Sequence, residues 1–133
     1  MNVSLDYTNY RNVRSIRKIN ISHCFFGERK QHLSACPMIQ ATDVDRDVLR
    51  CFDIRNIHEI AVGNANTSAP LFLFAAQRNI TGETIYFPVR SENESVAREF
   101  MQKLITLNPD NDNDGNEDDE PLNVSIVDIY KKI

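Results

Sequence analysis

Alternation between apolar and polar residues runs through the first sixty positions of the chain and predicts β-strands. The pattern covers residues 3–10 and 16–26, and then 37–44 and 48–54, which are separated by the short polar segment 45–47. Alternation with a period of two places one face of a strand in the core, and a short polar segment between two such runs is typical of a hairpin turn. The first half of the chain is therefore predicted to be β-sheet.

The second half changes from strands to a helix. Residues 69–79 and 83–89 are predicted to form two strands joined by an Asn-Ile-Thr-Gly turn. Ser91 and Glu94 have the spacing of a capping box, and they open a stretch predicted to form an amphipathic helix over residues 92–106, which packs on the sheet. The apolar residues at helical spacing are Val96, Ala97, Phe100, Met101, Leu104 and Ile105.

An acidic segment separates this helix from the C-terminus. Residues 108–121 carry seven acidic side chains and neither Lys nor Arg, whereas the whole chain has a net charge of −4. Without this segment the net charge is +3, so the remainder is slightly basic. A segment of this composition cannot bury itself, which predicts a disordered linker. The apolar pattern after it, over 122–133, fits either a strand or a short helix.

These elements predict a mainly β fold with one C-terminal amphipathic helix, of the α+β class. We expect a β-rich binding domain over 1–107, the linker over 108–121 and a C-terminal segment over 122–133 that offers a surface to a protein partner. The chain has three cysteines and no apolar leader in its first twenty residues, which favours a reducing, cytoplasmic location. No apolar run approaches the roughly eighteen residues of a membrane span.

Two sets of residues raise the question of a metal. The series Asp110-x-Asp112-x-Asp114-Gly115 resembles the start of a calcium-binding loop, but Pro121 occupies the twelfth position, where such a loop has a glutamate. Weak, non-specific attraction of cations is the favoured interpretation. No CxxC or HxxxH pair occurs among the zinc-type ligands, so core cysteines and surface histidines are favoured over a zinc site. These ligands are His23, Cys24, His32, Cys36, Cys51 and His58.

No motif of a catalytic or cofactor site occurs in the sequence. It lacks a Gly-x-Ser-x-Gly nucleophile motif, a P-loop and a dinucleotide fingerprint, so we expect a non-catalytic protein without a cofactor. Asp43, Asp45 and Asp47 surround the predicted hairpin turn, and a solvated loop explains them without a metal.

Arginines beside aromatic residues point instead to an anionic ligand. Arg17 and Arg50 lie among apolar strand residues, where a guanidinium is costly unless it is paired or faces a groove. Arginine forks beside aromatic rings suit phosphates and stacked bases. The alternative is that they pair across strands with Asp6, Asp43 or Asp53. A further hypothesis is that the acidic segment folds back on this basic surface as an intramolecular competitor.

The order of these residues resembles the WYL domain. The matching series are Tyr7-x-Asn9-Tyr10-Arg11, Ile16-Arg17-x-Ile19, Phe25-Phe26-Gly27, Ile39-x-Ala41-x-Asp43 and Arg50-x-Phe52, followed by Ile57. The resemblance covers about residues 3–60, and the name-giving triplet is here Pro37-Met38-Ile39.

This resemblance implies an Sm-like or SH3-like small β-barrel that serves as a ligand-sensing module in transcription regulation, as in bacteria and their phages. It implies a nucleotide or nucleic acid as the ligand, with Tyr7, Arg17 and Arg50 as contacts to phosphates or bases. Arg11 and Arg55, from the same basic surface, complete the predicted site. A pleckstrin-homology or phosphotyrosine-binding type barrel plus helix is the alternative, with docking of a peptide, a protein partner or a phosphoinositide near the helix.

Overall fold

The chain folds into strands and one helix, in an order that agrees with the hydrophobic pattern except for residues 57–62, which form a strand that was not predicted. The computed structural model describes residues 1–29, 34–63, 65–107 and 119–132. Its strands are β1 (Asn2–Thr8), β2 (Arg14–Gly27), β3 (Cys36–Asp43), β4 (Val48–Asp53), β5 (Ile57–Val62), β6 (Leu71–Arg78), β7 (Thr84–Arg90) and β8 (Val124–Lys132). The helix α1 is Glu94–Thr106, and a 3₁₀ turn, Ile54–Asn56, joins β4 to β5. The prediction of a mainly β protein with one helix is confirmed for the described residues.

These strands form one mixed sheet with the order β4-β3-β2-β1-β5-β7-β6-β8. The first four strands are an antiparallel meander, and β5 returns along the free side of β1, where Tyr7 lies opposite Ile57. β5 and β7 are parallel over two residue pairs, and β6 pairs antiparallel with both β7 and β8. The sheet keeps β4 and β8 as free edges and is not closed into a barrel.

A bulge in β2 places apolar residues on both faces of the sheet. The register with β3 shifts between Ile21 and His23, so the alternation of side chains changes phase at this point. Ile21 and Cys24 consequently both join the main core, which also includes residues of every other strand and of α1. Phe25 points to the opposite face and packs with Cys36 and Met38 in a second, smaller cluster.

The helix α1 buries the predicted stripe but begins with a different cap. Asn93 is the N-cap residue, and its side-chain oxygen accepts a hydrogen bond from the backbone N–H of Val96 at 2.9 Å. Ser91 is fully buried and donates its hydroxyl to the carbonyl of Asn93. The capping box predicted at Ser91 and Glu94 was therefore wrong by two positions. The residues buried by α1 are Ala97, Phe100, Met101 and Leu104.

The C-terminal residues belong to the same sheet. Residues 108–118 of the predicted linker lie outside the described residues, whereas Glu120 forms an isolated antiparallel bridge with Phe26 of β2. Leu122 and Val124 enter the main core. The following residues form β8, which pairs with β6, so the undecided C-terminal segment is a strand.

Candidate functional site

The arginine predicted from β2 forms a partly buried ion pair with the β3–β4 hairpin. Arg17 Nη1 lies 3.0 Å from Asp43 Oδ2, and Arg17 Nε donates to Ser15 Oγ at 3.0 Å. The side chain of Asp43 is only 2% exposed and that of Arg17 is 17% exposed. The interpretation of Asp43 as a solvated loop residue was therefore wrong, although Asp45 and Asp47 are exposed at the turn. This contact agrees with the alternative prediction, in which Arg17 pairs across strands with Asp43.

Arg50 shares a face of the sheet with this ion pair. Arg50 lies opposite Ala41, a residue of the main core, and Asp43 lies opposite both Ile19 and Val48. Paired residues of an antiparallel ladder point to the same side of the sheet, and so do residues two positions apart. We call Arg17, Asp43 and Arg50 the arginine edge. Within the described part of the chain, the exposed Arg50 has no carboxylate within 4.0 Å.

Other basic residues lie on the two hairpins around the arginine edge. Lys18 and Arg46 are exposed and form no ion pair with a described residue. Arg14 is bound by Asp6 through two hydrogen bonds of 2.9 Å, and this guanidinium lowers the pKa of the Asp6 carboxyl. Arg11 instead donates to the hydroxyl of its neighbour Tyr10 at 3.1 Å. The hairpins thus carry one cation that is already paired, Arg14, and two exposed cations without an ion pair to a described residue, Lys18 and Arg46.

Tyr7 lies in the core and not on the surface. Its ring is 7% exposed and packs edge-on against Phe52, with ring centroids 5.1 Å apart. Its hydroxyl oxygen accepts a hydrogen bond from the backbone N–H of Asp53 at 3.1 Å, and burial raises the pKa of this phenol. Tyr7 therefore connects β1 to the end of β4, and its aromatic face is not available for stacking on a base.

Arg55 lies on the 3₁₀ turn, away from the arginine edge along β4. Its Nε and Nη2 bind the two oxygens of Asp53 at 3.0 and 2.8 Å, and this contact raises the pKa of the guanidinium. Asp53 also caps the turn by accepting from the backbone N–H of Arg55. The structure thus separates the predicted site residues, because Tyr7 is internal and Arg55 belongs to a different surface.

That surface is a groove of about 410 Å³ between the start of β5 and the start of β7. Apolar side chains predominate in its lining, and Arg55, His58, Glu83 and Thr84 contribute polar groups. His58 Nε2 lies 2.7 Å from Thr8 Oγ1. The apolar residues that line the groove are Pro37, Ile54, Ile57, Leu73, Ile85, Tyr86 and Pro88. Because these residues come from four separate parts of the chain, sequence reasoning did not find the groove.

The end of the acidic segment is held by basic residues that the competitor hypothesis did not name. Asp119 binds Arg29 through two hydrogen bonds of 2.9 Å, and the Arg29 guanidinium lies 4.4 Å from the centre of the Phe25 ring. Glu120 lies 3.8 Å from Arg78, whose guanidinium is 4.0 Å from the centre of the Phe26 ring. We call Asp119–Leu122 the strap. It crosses the C-terminal half of β2 and does not reach the arginine edge.

Neither metal hypothesis gains a ligand cluster from the structure. Within the described ranges, no three His, Cys, Asp or Glu side chains converge in a way that would hold a metal ion. His32 and the calcium-like series from 110 to 115 lie outside those ranges. The three cysteines are free thiols, and burial raises the pKa of Cys36 to about 11. The pKa of Cys24 is raised further, also by burial.

The fold and these sites define a mainly β protein with an exposed arginine edge and an open groove. No helix in the described part of the chain has the length and apolar character needed to cross a membrane. Compared with known proteins, the chain matches no family model, no curated protein and no solved structure.

Proposed function

We propose that this protein is a non-catalytic ligand-binding module of the WYL type, which binds an anionic ligand at the arginine edge. The observation that carries the proposal is the exposed guanidinium of Arg50, which has no ion-pair partner among the described residues and points to the same face of the sheet as Arg17, two strands away. Arg17 uses Nε and Nη1 for Ser15 and Asp43, so its Nη2 has no hydrogen bond to a described residue. An exposed guanidinium without an ion-pair partner suits a phosphate group.

The path of the chain also supports the WYL interpretation. The motif over residues 37–57 forms β3, a tight turn, β4 and the 3₁₀ turn, with Arg50 and Phe52 on the same face. The order β4-β3-β2-β1-β5 places the end of the motif beside β1, where Ile57 pairs with Tyr7, and the Tyr7 ring contacts Phe52 of β4. These features support a five-strand unit built around the motif, although the sheet is not closed into the small barrel that the resemblance implies.

The ligand class that we propose is a nucleotide or nucleic acid. Arginine side chains bind phosphate groups, and Arg46 is a second exposed arginine on the hairpin of Arg50. The docking alternative at α1 has less support, because the apolar residues of α1 are buried against the sheet.

A binding titration with a charge-matched control tests this proposal. Labelled single-stranded DNA, single-stranded RNA and a nucleoside triphosphate are titrated at two salt concentrations against the wild type, Arg50→Ala and Arg98→Ala. Arg98 is an exposed residue of α1 paired with Glu94, so its removal changes the net charge equally on a different element. We expect Arg50→Ala to weaken binding about tenfold and to reduce the salt dependence by about one phosphate contact.

The Arg98→Ala control distinguishes binding at a specific site from a general effect of the net charge on binding. We expect Arg98→Ala to bind within about twofold of the wild type, since exposed charges farther away than about 10 Å are screened at 0.1 M salt. Equal weakening by both substitutions, or the absence of binding at low salt, would contradict the proposal.

A further inference from the structure

The hairpin of β1 and β2 extends beyond the strands on either side of it. On one side β3 ends at Asp43, opposite Ile19, and on the other side β5 begins at Ile57, opposite Tyr7. Neither neighbouring strand therefore pairs with the turn between β1 and β2. We call residues 9–18 the hairpin tip.

The turn of the hairpin tip is built around one asparagine. The backbone N–H of Asn9 donates to the carbonyl of Val13 at 3.0 Å, and the carbonyl of Asn9 accepts from the N–H of Asn12 at 2.9 Å. The side-chain oxygen of Asn9 accepts from the backbone N–H groups of Arg11 and Val13. The turn thus satisfies several of its own backbone groups and holds its side chains outward.

Exposed apolar side chains are concentrated at this end of the sheet. Ten large apolar side chains are exposed in the described part of the chain, and six of them belong to the hairpin tip or to the β3–β4 hairpin. Those six are Tyr10, Val13, Ile16, Val44, Val48 and Leu49. Single exposed apolar side chains are normal, whereas a group of them in one place marks a contact surface.

The two hairpins touch, and the exposed apolar residues of one lie near those of the other. The backbone N–H of Val44 donates to the carbonyl of Lys18 at 2.9 Å. Ile16 and Lys18 alternate with Arg17, which lies opposite the buried Leu5, so they point to the face opposite the arginine edge. This inference is therefore independent of the anionic ligand proposed at that edge.

The hairpin tip is basic as well as apolar. Residues 7–27 contain four basic side chains and no acidic one. Two of these cations are paired with carboxylates of other residues, whereas Arg11 and Lys18 form no ion pair with a described residue. The guanidinium of Arg11 lies 5.4 Å from the centre of the Tyr10 ring. On the neighbouring hairpin, two exposed arginines offset two exposed aspartates, which are Arg46, Arg50, Asp45 and Asp47.

We propose that the hairpin tip inserts into the headgroup layer of a membrane that contains anionic lipids. Apolar side chains enter the boundary of the acyl chains while cations bind the headgroups, so a surface with both properties binds more strongly than one with either alone. Tyrosine is enriched at this interface, which suits Tyr10. A nucleic acid would neutralise the cations but leave Val13 and Ile16 in water, whereas a membrane takes up both kinds of side chain.

Co-sedimentation of the full chain with lipid vesicles tests the proposal. One set of vesicles is phosphatidylcholine with about one third phosphatidylserine, and the other set is phosphatidylcholine alone. The variants are Ile16→Ser and, as the matched control, Ile80→Ser. Ile16 is 73% exposed and Ile80, in the turn between β6 and β7, is 78% exposed, so both substitutions remove the same side chain from a similar environment. Circular dichroism checks that each variant folds.

We expect the wild type to bind the anionic vesicles and not the neutral ones. Ile16→Ser should weaken this binding about tenfold, because the lost side chain no longer leaves water, and Ile80→Ser should stay within about twofold. Binding of single-stranded DNA by Ile16→Ser should also stay within about twofold of the wild type, since Ile16 does not belong to the arginine edge.

A fluorescent reporter gives a second measurement of the same contact. The chain contains no tryptophan, so Tyr10→Trp places a single one at the hairpin tip and Tyr86→Trp, the control, places one on β7. Anionic vesicles should shift the emission of Tyr10→Trp to the blue and leave that of Tyr86→Trp unchanged. No binding to anionic vesicles, equal weakening by Ile80→Ser, or an unshifted emission of Tyr10→Trp would overturn the proposal. Equal loss of DNA binding and vesicle binding in Ile16→Ser would also overturn it, because the tip would then serve the nucleic acid.

Discussion

At the scale of single residues, the partners of a charged side chain decide whether it stabilises the fold or remains available to a ligand. Arg17 and Arg50 lie in similar sequence surroundings, and both were predicted as ligand contacts. The structure places a nearly buried carboxylate beside Arg17 and leaves Arg50 exposed. The two residues therefore have different roles in the proposed site, because Arg17 also pairs with the buried carboxylate of Asp43.

We expect Arg17→Ala to lower the free energy of unfolding by about 2–4 kcal/mol, because removal of one partner leaves the buried carboxylate of Asp43 unpaired. Arg17→Ala with Asp43→Leu should recover most of this loss, since neither charge then remains. Urea denaturation followed by circular dichroism measures both values.

The exposed pair between Arg14 and Asp6 is the matched control for this experiment. The side chain of Arg14 is 62% exposed, so Arg14→Ala should cost less than about 1 kcal/mol. A similar loss for Arg17→Ala and Arg14→Ala would show that burial of Asp43 does not determine the strength of the contact.

At the scale of secondary-structure elements, β2 is the strand on which the most distant parts of the chain meet. Its first half pairs with β1, and its second half contacts Leu107, which precedes the acidic segment, and Glu120 near the end of that segment. The backbone N–H of Cys24 donates to the carbonyl of Leu107, and Phe26 exchanges two hydrogen bonds with Glu120 of the strap. Gly27 allows this approach, because a Cβ atom built there would lie 2.5 Å from Asp119 Oδ1.

We expect Gly27→Ala to destabilise the protein by about 1–2 kcal/mol, since the new methyl group displaces the Asp119 carboxylate from Arg29 and also approaches the Phe25 ring. The exchange of the Glu120 amide hydrogen, measured by NMR, should become faster, because this amide donates to Phe26.

A double-mutant cycle with Asp119→Ala isolates the contact. In the background of Asp119→Ala the cost of Gly27→Ala should decrease, because the displaced carboxylate is already absent. If the destabilisation of the double variant equals the sum of those of Gly27→Ala and Asp119→Ala, the close approach of Gly27 and Asp119 does not hold the strap against β2.

At the scale of the whole molecule, burial of ionisable groups couples stability to alkaline pH. Cys24, Cys36 and Tyr7 all lie in the interior, and burial raises the pKa of each. In the unfolded chain, a thiol loses its proton near pH 9, whereas Cys36 in the folded protein keeps its proton until a pH of about 11. The folded state therefore binds more protons than the unfolded state above pH 9, and its stability decreases as the pH rises.

We expect the free energy of unfolding to be constant with respect to these thiols below about pH 8 and to fall between pH 9 and pH 11. Each buried thiol contributes at most about 1.4 kcal/mol per pH unit. Urea denaturation under reducing conditions at pH 7.5, 9, 10 and 11 measures the decrease. Cys36→Ala should make it shallower, and an unchanged slope in this variant would contradict the prediction.

The sequence by itself determined the local elements of this protein. Most strands and the helix were predictable because each depends on the period of apolar residues within a short window, as in residues 16–26 and 92–106, whereas β5 was not predicted. The place of Arg46 and Arg50 on one hairpin was also evident, because residues close in the chain remain near one another across a hairpin. The spacing of residues predicted Ser91 as the helix cap, whereas the structure has Asn93. Both residue types can cap a helix, so spacing alone does not choose between them.

Only the tertiary structure decided which of these residues act together. The segment 122–133 became a strand because β6 offers it a free edge, which no local pattern records. Tyr7 is internal and Asp43 is buried because β1, β2 and the β3–β4 hairpin converge around them. The groove combines residues from four separate parts of the chain, which the fold brings together. Each of these outcomes depends on the pairing of strands that are distant in the chain, and a sequence period specifies the face of a strand but not its neighbour.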